Sequence, residues 1–132
     1  MQGSWLRKGT SRILLGISLL TSPAWARLNT AMPETKGLAS WYGRREQGKR
    51  MANGQRFDRM KYTAASRTYR LGTLLMVKYP RMGTFVVVRV TDRGPFKKGR
   101  VLDLSEKSAT TLGLKSRGVD TVVIEPLKME SL

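Results

Sequence analysis

The chain contains no histidine and no cysteine. Histidine is the commonest general base near neutral pH, and with cysteine it supplies most zinc sites and nucleophilic triads. Disulfides, thiolate metal sites and Cys- or His-dependent catalysis are therefore excluded. Any chemistry must rest on Asp, Glu, Tyr, Lys or backbone groups, and no metal or cofactor is implied. Asp92 is the first candidate. It ends the most apolar run of the chain and opens Asp92-Arg93-Gly94-Pro95, so a rigid strand end would hold its carboxylate still. Two roles fit it: a catalytic carboxylate, with Arg93 pinning it or pairing with it, and a turn cap that accepts backbone N–H groups. Asp103 precedes a helical stretch, and capping accounts for it. Asp58 lies in a basic loop, where a salt bridge to Arg56 or Arg59 accounts for it. Trp41 and Tyr42 form an aromatic pair at a strand end. Alternate strand residues face opposite sides, so one of the two packs in the core and the other is free to stack on a sugar ring or a base. The charge run Arg44-Arg45-Glu46-Gln47-Gly48-Lys49-Arg50 follows. It reads as a solvated loop or as one wall of a groove for an acidic polymer. It lacks a phosphate-cradling glycine pattern and an RNA-binding signature.

The elements that must position these residues are mostly strands. Leu38–Tyr42 is a short strand ending at Gly43, and Asn53-Gly54 marks a turn after the basic loop. Tyr62–Ala65 is a second short strand, and Thr73–Tyr79 a third, closed by Pro80. Thr84–Thr91, TFVVVRVT, is the strongest strand, and its apolar character predicts a strand covered on both faces or one closed into a barrel. Val101–Leu104 is another strand. Ser105–Leu112 reads as a helix, with Ser105 or Asp103 capping its start, Glu106 in its first turn and Gly113 at its end. Thr121–Glu125 is the last strand. About six short strands and one helix in so short a stretch favour a small closed β-barrel.

The chain carries 25 Lys and Arg against 9 Asp and Glu, a net charge of +16 in 132 residues. Its N-terminus has the order of an export signal. A basic stretch (Arg7, Lys8, Arg12) leads to the apolar run Ile13–Leu20, and then to Pro23 and Ala24-Trp25-Ala26. The apolar run is too short to span a bilayer. Cleavage after Ala26 would remove three bases from the +16 and leave a domain of +13. The expected layout is a signal over 1–26, a linker over 27–36, a domain over 37–127 and a tail over 128–132. The domain is expected to act in the periplasm or the cell wall. With no cysteine to carry a lipid, it is not expected to be a lipoprotein or to hold a membrane anchor. A charge of this size points to a polyanionic partner. Outside the cytoplasm that means cell-wall carboxylates, anionic wall polymers or head groups in preference to nucleic acid. A solvated surface with no partner is the plain alternative.

Several segments, taken in order, resemble the rare lipoprotein A (RlpA) family. They are Gly37-Leu38-Ala39-Ser40-Trp41-Tyr42-Gly43, Ala52-Asn53-Gly54-Gln55-Arg56-Phe57-Asp58, Thr63-Ala64-Ala65-Ser66 and Leu71-Gly72-Thr73. Val88-Arg89-Val90-Thr91-Asp92-Arg93-Gly94-Pro95-Phe96, Gly99-Arg100-Val101-Leu102-Asp103-Leu104-Ser105 and Leu112-Gly113 continue the series. Each segment is short, but the ordered set covers nearly the whole domain. The resemblance implies a mainly β fold, a six-stranded double-psi β-barrel with one or two short helices. It also implies an endolytic transglycosylase that cuts peptide-free peptidoglycan strands between N-acetylmuramic acid and N-acetylglucosamine, leaving a 1,6-anhydro end. Where the family has a histidine after Thr-Ala-Ala this chain has Ser66, and where it has an acid after Asn-Gly this chain has Gln55. Asp92 is retained. The implied site therefore has Asp92 as catalytic acid and base, with Gln55, Ser66, Trp41, Tyr42, Asp58 and Arg93 on the substrate. Arg89 and Arg93 are expected near the Asp92 carboxylate. The alternative is a barrel that binds glycan without cutting it.

Overall fold

The computed structural model describes residues 33–128. The export series at 1–26 lies outside the described residues, as does the expected tail beyond Lys128. The described chain runs β1 (Thr35–Tyr42), β2 (Thr63–Ala65), β3 (Leu74–Tyr79), β4 (Thr84–Asp92), β5 (Arg100–Ser105), α1 (Glu106–Leu112) and β6 (Asp120–Pro126). Period-two alternation explains how these strands close on one another. Val86, Val88 and Val90 of β4 are buried while Phe85, Val87 and Arg89 face solvent. β3 alternates likewise, with Leu75, Val77 and Tyr79 inward. Of the two arrangements that the composition of β4 allowed, barrel closure is the one that occurs. No second layer covers its outer apolar residues among the described residues.

The strands form a closed barrel in the order β1-β5-β2-β4-β3-β6, with β6 returning to β1. β1/β5 and β2/β4 pair in parallel, and the other contacts are antiparallel. The expected six-stranded double-psi barrel is thus present, with one short helix among the described residues. Thr35 and Lys36, placed in the linker by composition, pair with Ile124 and Val123, so the sheet starts ahead of Gly37. Leu75, Val77, Val88, Val90, Leu102, Leu104, Val122 and Ile124 fill the interior without solvent exposure. Each such side chain contributes about 1.5–3 kcal/mol of burial.

The helix α1 adds Ala109 and Leu112 to this core. Ser105 caps it by accepting the Ser108 N–H at 3.2 Å, so capping falls to Ser105 and Asp103 is left for another role. Gly113 ends it at φ 84°, left-handed backbone that glycine adopts without a Cβ clash. One irregularity bears on the site. The β2/β4 register pairs Ala64 with Val90 and Ala65 with Asp92, skipping Thr91. A bulge of this kind interrupts the ladder and re-aims the residues that follow.

Candidate functional site

The bulge sets Asp92 level with Ala65, and β5 sets Asp103 level with Ala65 from the other side. Adjacent strands lie about 4.8 Å apart, so the two aspartates stand roughly 10 Å apart at Cα with one small residue between them. Asp103 takes the Ser40 hydroxyl of β1. Asp92 accepts two backbone N–H groups on Oδ1, from Ala52 and Arg93, each at 2.9 Å. Among the described residues its Oδ2 has no hydrogen-bond partner. Both roles offered by the sequence therefore coexist: Asp92 caps its turn through one oxygen and leaves the other available.

The Ala52 bond also fixes the Asn-Gly turn. Asn53 N–H donates to Thr91 O at 3.2 Å, and Gly54 follows at φ 87°. Inside the turn, the Asn53 carbonyl oxygen accepts the Gln55 N–H at 3.0 Å, and Gln55 Oε1 accepts the Asn53 amide at 3.2 Å. Gln55 is exposed, on a loop that Asp92 itself holds.

Other expected residues are placed differently. Ser66 is fully buried. Its hydroxyl accepts the N–H groups of Thr68 and Tyr69 at 3.2 and 3.0 Å, so in this conformation it holds the turn that follows β2. The Arg93 guanidinium reaches the carbonyls of Ser66 and Tyr69 at 2.9 and 2.6 Å, and Arg89 reaches Gly72 O at 3.0 Å. Neither forms an ion pair with Asp92 among the described residues, which corrects the expected pairing. A long guanidinium side chain finds backbone acceptors beyond its sequence neighbour. Asp58 accepts the Met60 N–H at 3.0 Å, while Arg56 goes to Gly48 O and Arg59 to Glu106. The expected salt bridge to Arg56 or Arg59 does not form, and among the described residues the second carboxylate oxygen of Asp58 has no partner.

Tyr42 stacks on Phe57 with ring centroids 4.4 Å apart. Its hydroxyl is buried without a partner among the described residues, so a sugar contact through that oxygen is not available in this conformation. Burial, then the charges of Asp92, Asp103 and Glu46, push the Tyr42 phenol well above its ordinary value. On β1, Tyr42 lies two residues beyond Ser40, which stands opposite Asp103 and gives it its hydroxyl. Trp41 is half-buried and donates from Nε1 to Lys115 O at 3.1 Å. Asp103 is the residue whose place beside Ala65 sequence reasoning did not foresee. Its helix-capping role looked sufficient, and the signal that could have found it, a second aspartate near the end of a strand, acquires meaning only once β2 separates the two. Among the described residues no three acidic or metal-ligating side chains converge on a cation site.

Comparison with known proteins agrees with this geometry. The family described as lytic transglycolase matches residues 34–124. An endolytic peptidoglycan transglycosylase RlpA of Rickettsia felis is 45% identical over 98 residues, covering 72% of this chain and 43% of that protein. A probable endolytic peptidoglycan transglycosylase RlpA of Synechocystis sp. is 49% identical over 89 residues, covering 67% and 28%. The chain therefore spans less than half the length of these relatives. Among solved structures, apo expansin of Clavibacter michiganensis superimposes with a TM-score of 0.59 at 27% identity, covering 75% of this chain and 52% of that one. The Streptomyces papain inhibitor shares the fold at a TM-score of 0.60 and 20% identity, covering 73% and 96%. With the barrel topology, the aligned motifs and the family match in agreement, the chain belongs to the RlpA-like double-psi β-barrel family.

Proposed function

We propose that this domain is an endolytic peptidoglycan transglycosylase that uses Asp92 as its one acid–base group. The observation that carries the reading is the way Asp92 is held. Two backbone N–H groups fix Oδ1 at the mouth of a rigid barrel, and Oδ2 is left without a protein partner among the described residues. One positioned carboxyl is enough for this reaction. Protonated Asp92 gives its proton to the glycosidic oxygen, and the bond from the muramic acid anomeric carbon to that oxygen breaks. The carboxylate then removes the proton of the muramic acid C6 hydroxyl. That oxygen closes on the anomeric carbon, giving the 1,6-anhydro end and restoring the acid. No water is activated, so the second carboxylate of a hydrolase is not needed as a base. Asp103, on the far side of Ala65, is placed to offset positive charge that develops at the anomeric carbon. Gln55 and the second oxygen of Asp58 serve to orient sugar hydroxyl and acetamido groups.

A wall substrate puts the working domain outside the cytoplasmic membrane, and the ordered export features of residues 1–26 support that placement. The test is incubation with amidase-stripped glycan strands and mass spectrometry for 1,6-anhydro ends. Asp92→Asn should lower them by about 10²–10⁴-fold, and undiminished release in that variant would remove Asp92 from the role. A second reading has its own support: the position of the family histidine is a buried, backbone-bonded Ser66, so Asp92 works without that partner or does not cut. Strands that co-sediment with the protein but gain no anhydro ends would establish a glycan-binding barrel instead.

A further inference from the structure

A cleft of about 500 Å³ opens beside Trp41, bordered by Tyr42, Arg44, Arg45 and Lys115 among others. A second opening of about 390 Å³ runs along the same indole to Thr110 and Ser116. The acid–base scheme uses neither. The indole is fixed by its Nε1 bond to Lys115 O, with the Lys115 ammonium 5.5 Å from the ring centroid. Two acids also border the cleft, and both are already satisfied. Glu46 accepts the Gly43 N–H at 3.0 Å, and Glu106 is held by Arg59 and by Lys115 at 2.8 Å. Arg44 and Arg45 are different. Both are exposed, and neither guanidinium has a hydrogen-bond or ion-pair partner among the described residues. The cleft thus offers a rigid aromatic wall beside two uncommitted guanidinium forks. Such a pair suits a sugar ring that carries a carboxylate, because guanidinium binds carboxylate in bidentate fashion. Tyr42 borders this cleft, and Ser40, two residues before it on β1, gives its hydroxyl to Asp103, so the cleft adjoins the aspartate pair.

We propose that Arg44 and Arg45 bind the free lactyl carboxylate of an N-acetylmuramic acid residue beside the cleavage point, with a sugar ring against Trp41. This rests on the reading of the domain as one that takes peptidoglycan glycan. The lactyl group is a charged carboxylate only after the stem peptide has been removed; while the peptide is attached it is a neutral amide. Carboxylate capture by Arg44 and Arg45 is thus the residue-level basis we assign to the family's use of peptide-free strands.

The experiment compares peptide-free strands with the same strands after their lactyl carboxylates are converted to methylamides. Affinity and 1,6-anhydro release are both measured. The wild-type protein should bind the free-acid strands at least about ten-fold more tightly, equivalent to about 1.4 kcal/mol. Arg44→Gln with Arg45→Gln should erase that difference by weakening binding of the free-acid strands toward that of the methylamide strands. Lys36→Gln with Lys128→Gln removes the same charge elsewhere; Lys36 lies five residues up β1 from Trp41, about 16 Å away. This pair should keep the discrimination. Equal wild-type binding to both strands overturns the inference, as does discrimination that survives in the arginine pair or is lost equally in the lysine pair. Equally tight binding to single-stranded DNA also overturns it, because the cleft would then read charge alone. Discrimination without anhydro product would leave the inference standing and remove the enzymatic reading. Failure to bind either strand would remove both.

Discussion

Asp92 and Asp120 occupy comparable positions, one ending a strand and the other beginning one, yet their surroundings are opposite. Asp120 accepts the Tyr79 hydroxyl at 2.7 Å, Arg81 Nε at 2.5 Å and the Thr121 N–H at 2.8 Å, with Arg117 at 3.3 Å. The Arg81 bond first, then those of Tyr79 and Thr121, hold its carboxyl far below the usual carboxylate range. Among the described residues Asp92 receives only backbone N–H groups, on one oxygen, while Arg89 and Arg93 turn to carbonyls. A carboxylate saturated by cations and hydroxyls ties strands together. One fixed by the backbone alone is held still without being used up. That difference separates a structural acid from a candidate catalytic one more clearly than position in the sequence does.

The strongest test of this contrast is Asp92→Asn. The new side chain keeps an oxygen for the Ala52 and Arg93 N–H groups but cannot donate and retrieve a proton in the same way. Anhydro product should fall by about 10²–10⁴-fold while the thermal midpoint hardly moves. A large loss of stability would show that Asp92 is another Asp120. Ser66→Ala should have the reverse signature. Removing the hydroxyl takes the shared acceptor from the Thr68 and Tyr69 N–H groups and should cost about 0.5–1.5 kcal/mol in chemical denaturation, with turnover per folded molecule retained. Restoring the family residue with Ser66→His forces a larger group into a fully buried site and should itself cost about 1–3 kcal/mol. Tyr79→Phe removes one bond to Asp120 and should lower stability by about 1 kcal/mol without touching activity.

The smallest expected effect is in the acid limb of stability. Lys115 and then Arg59 hold Glu106 down from an ordinary 4.5 to about 2. A carboxyl with a folded value below its unfolded one stabilises above the unfolded value and loses that contribution as pH falls toward the folded value. Thermal midpoints should therefore decline as pH drops from 4.5 toward 2. Glu106→Gln should lower the neutral midpoint and flatten that decline. An unchanged slope in the variant would assign the acid limb to other carboxyls.

Much of the fold was legible because strand alternation and helix caps are local. Thr84–Thr91 reads as a strand from its own residues, and capping chemistry alone places the start of α1 at Ser105 or Asp103 and its end at Gly113. The site was legible in part. Asp92 stood out because a turn signal follows an apolar run. Ser66 did not reveal its burial, since a serine after a strand serves a turn or a ligand equally well by type. Asp103 was masked by a simpler local explanation that Ser105 in fact fulfils.

The sequence by itself determined the absence of histidine and cysteine chemistry, the strand periodicities, the basic charge and the motif order that marks the family. These depend on residue identity and near neighbours. The tertiary structure alone decided that β2 lies between β4 and β5, that a skipped Thr91 brings Asp92 level with Asp103, and which cations are committed and which are free. Those depend on pairing between segments far apart in the chain, and on long side chains choosing among acceptors that only the closed barrel brings within reach.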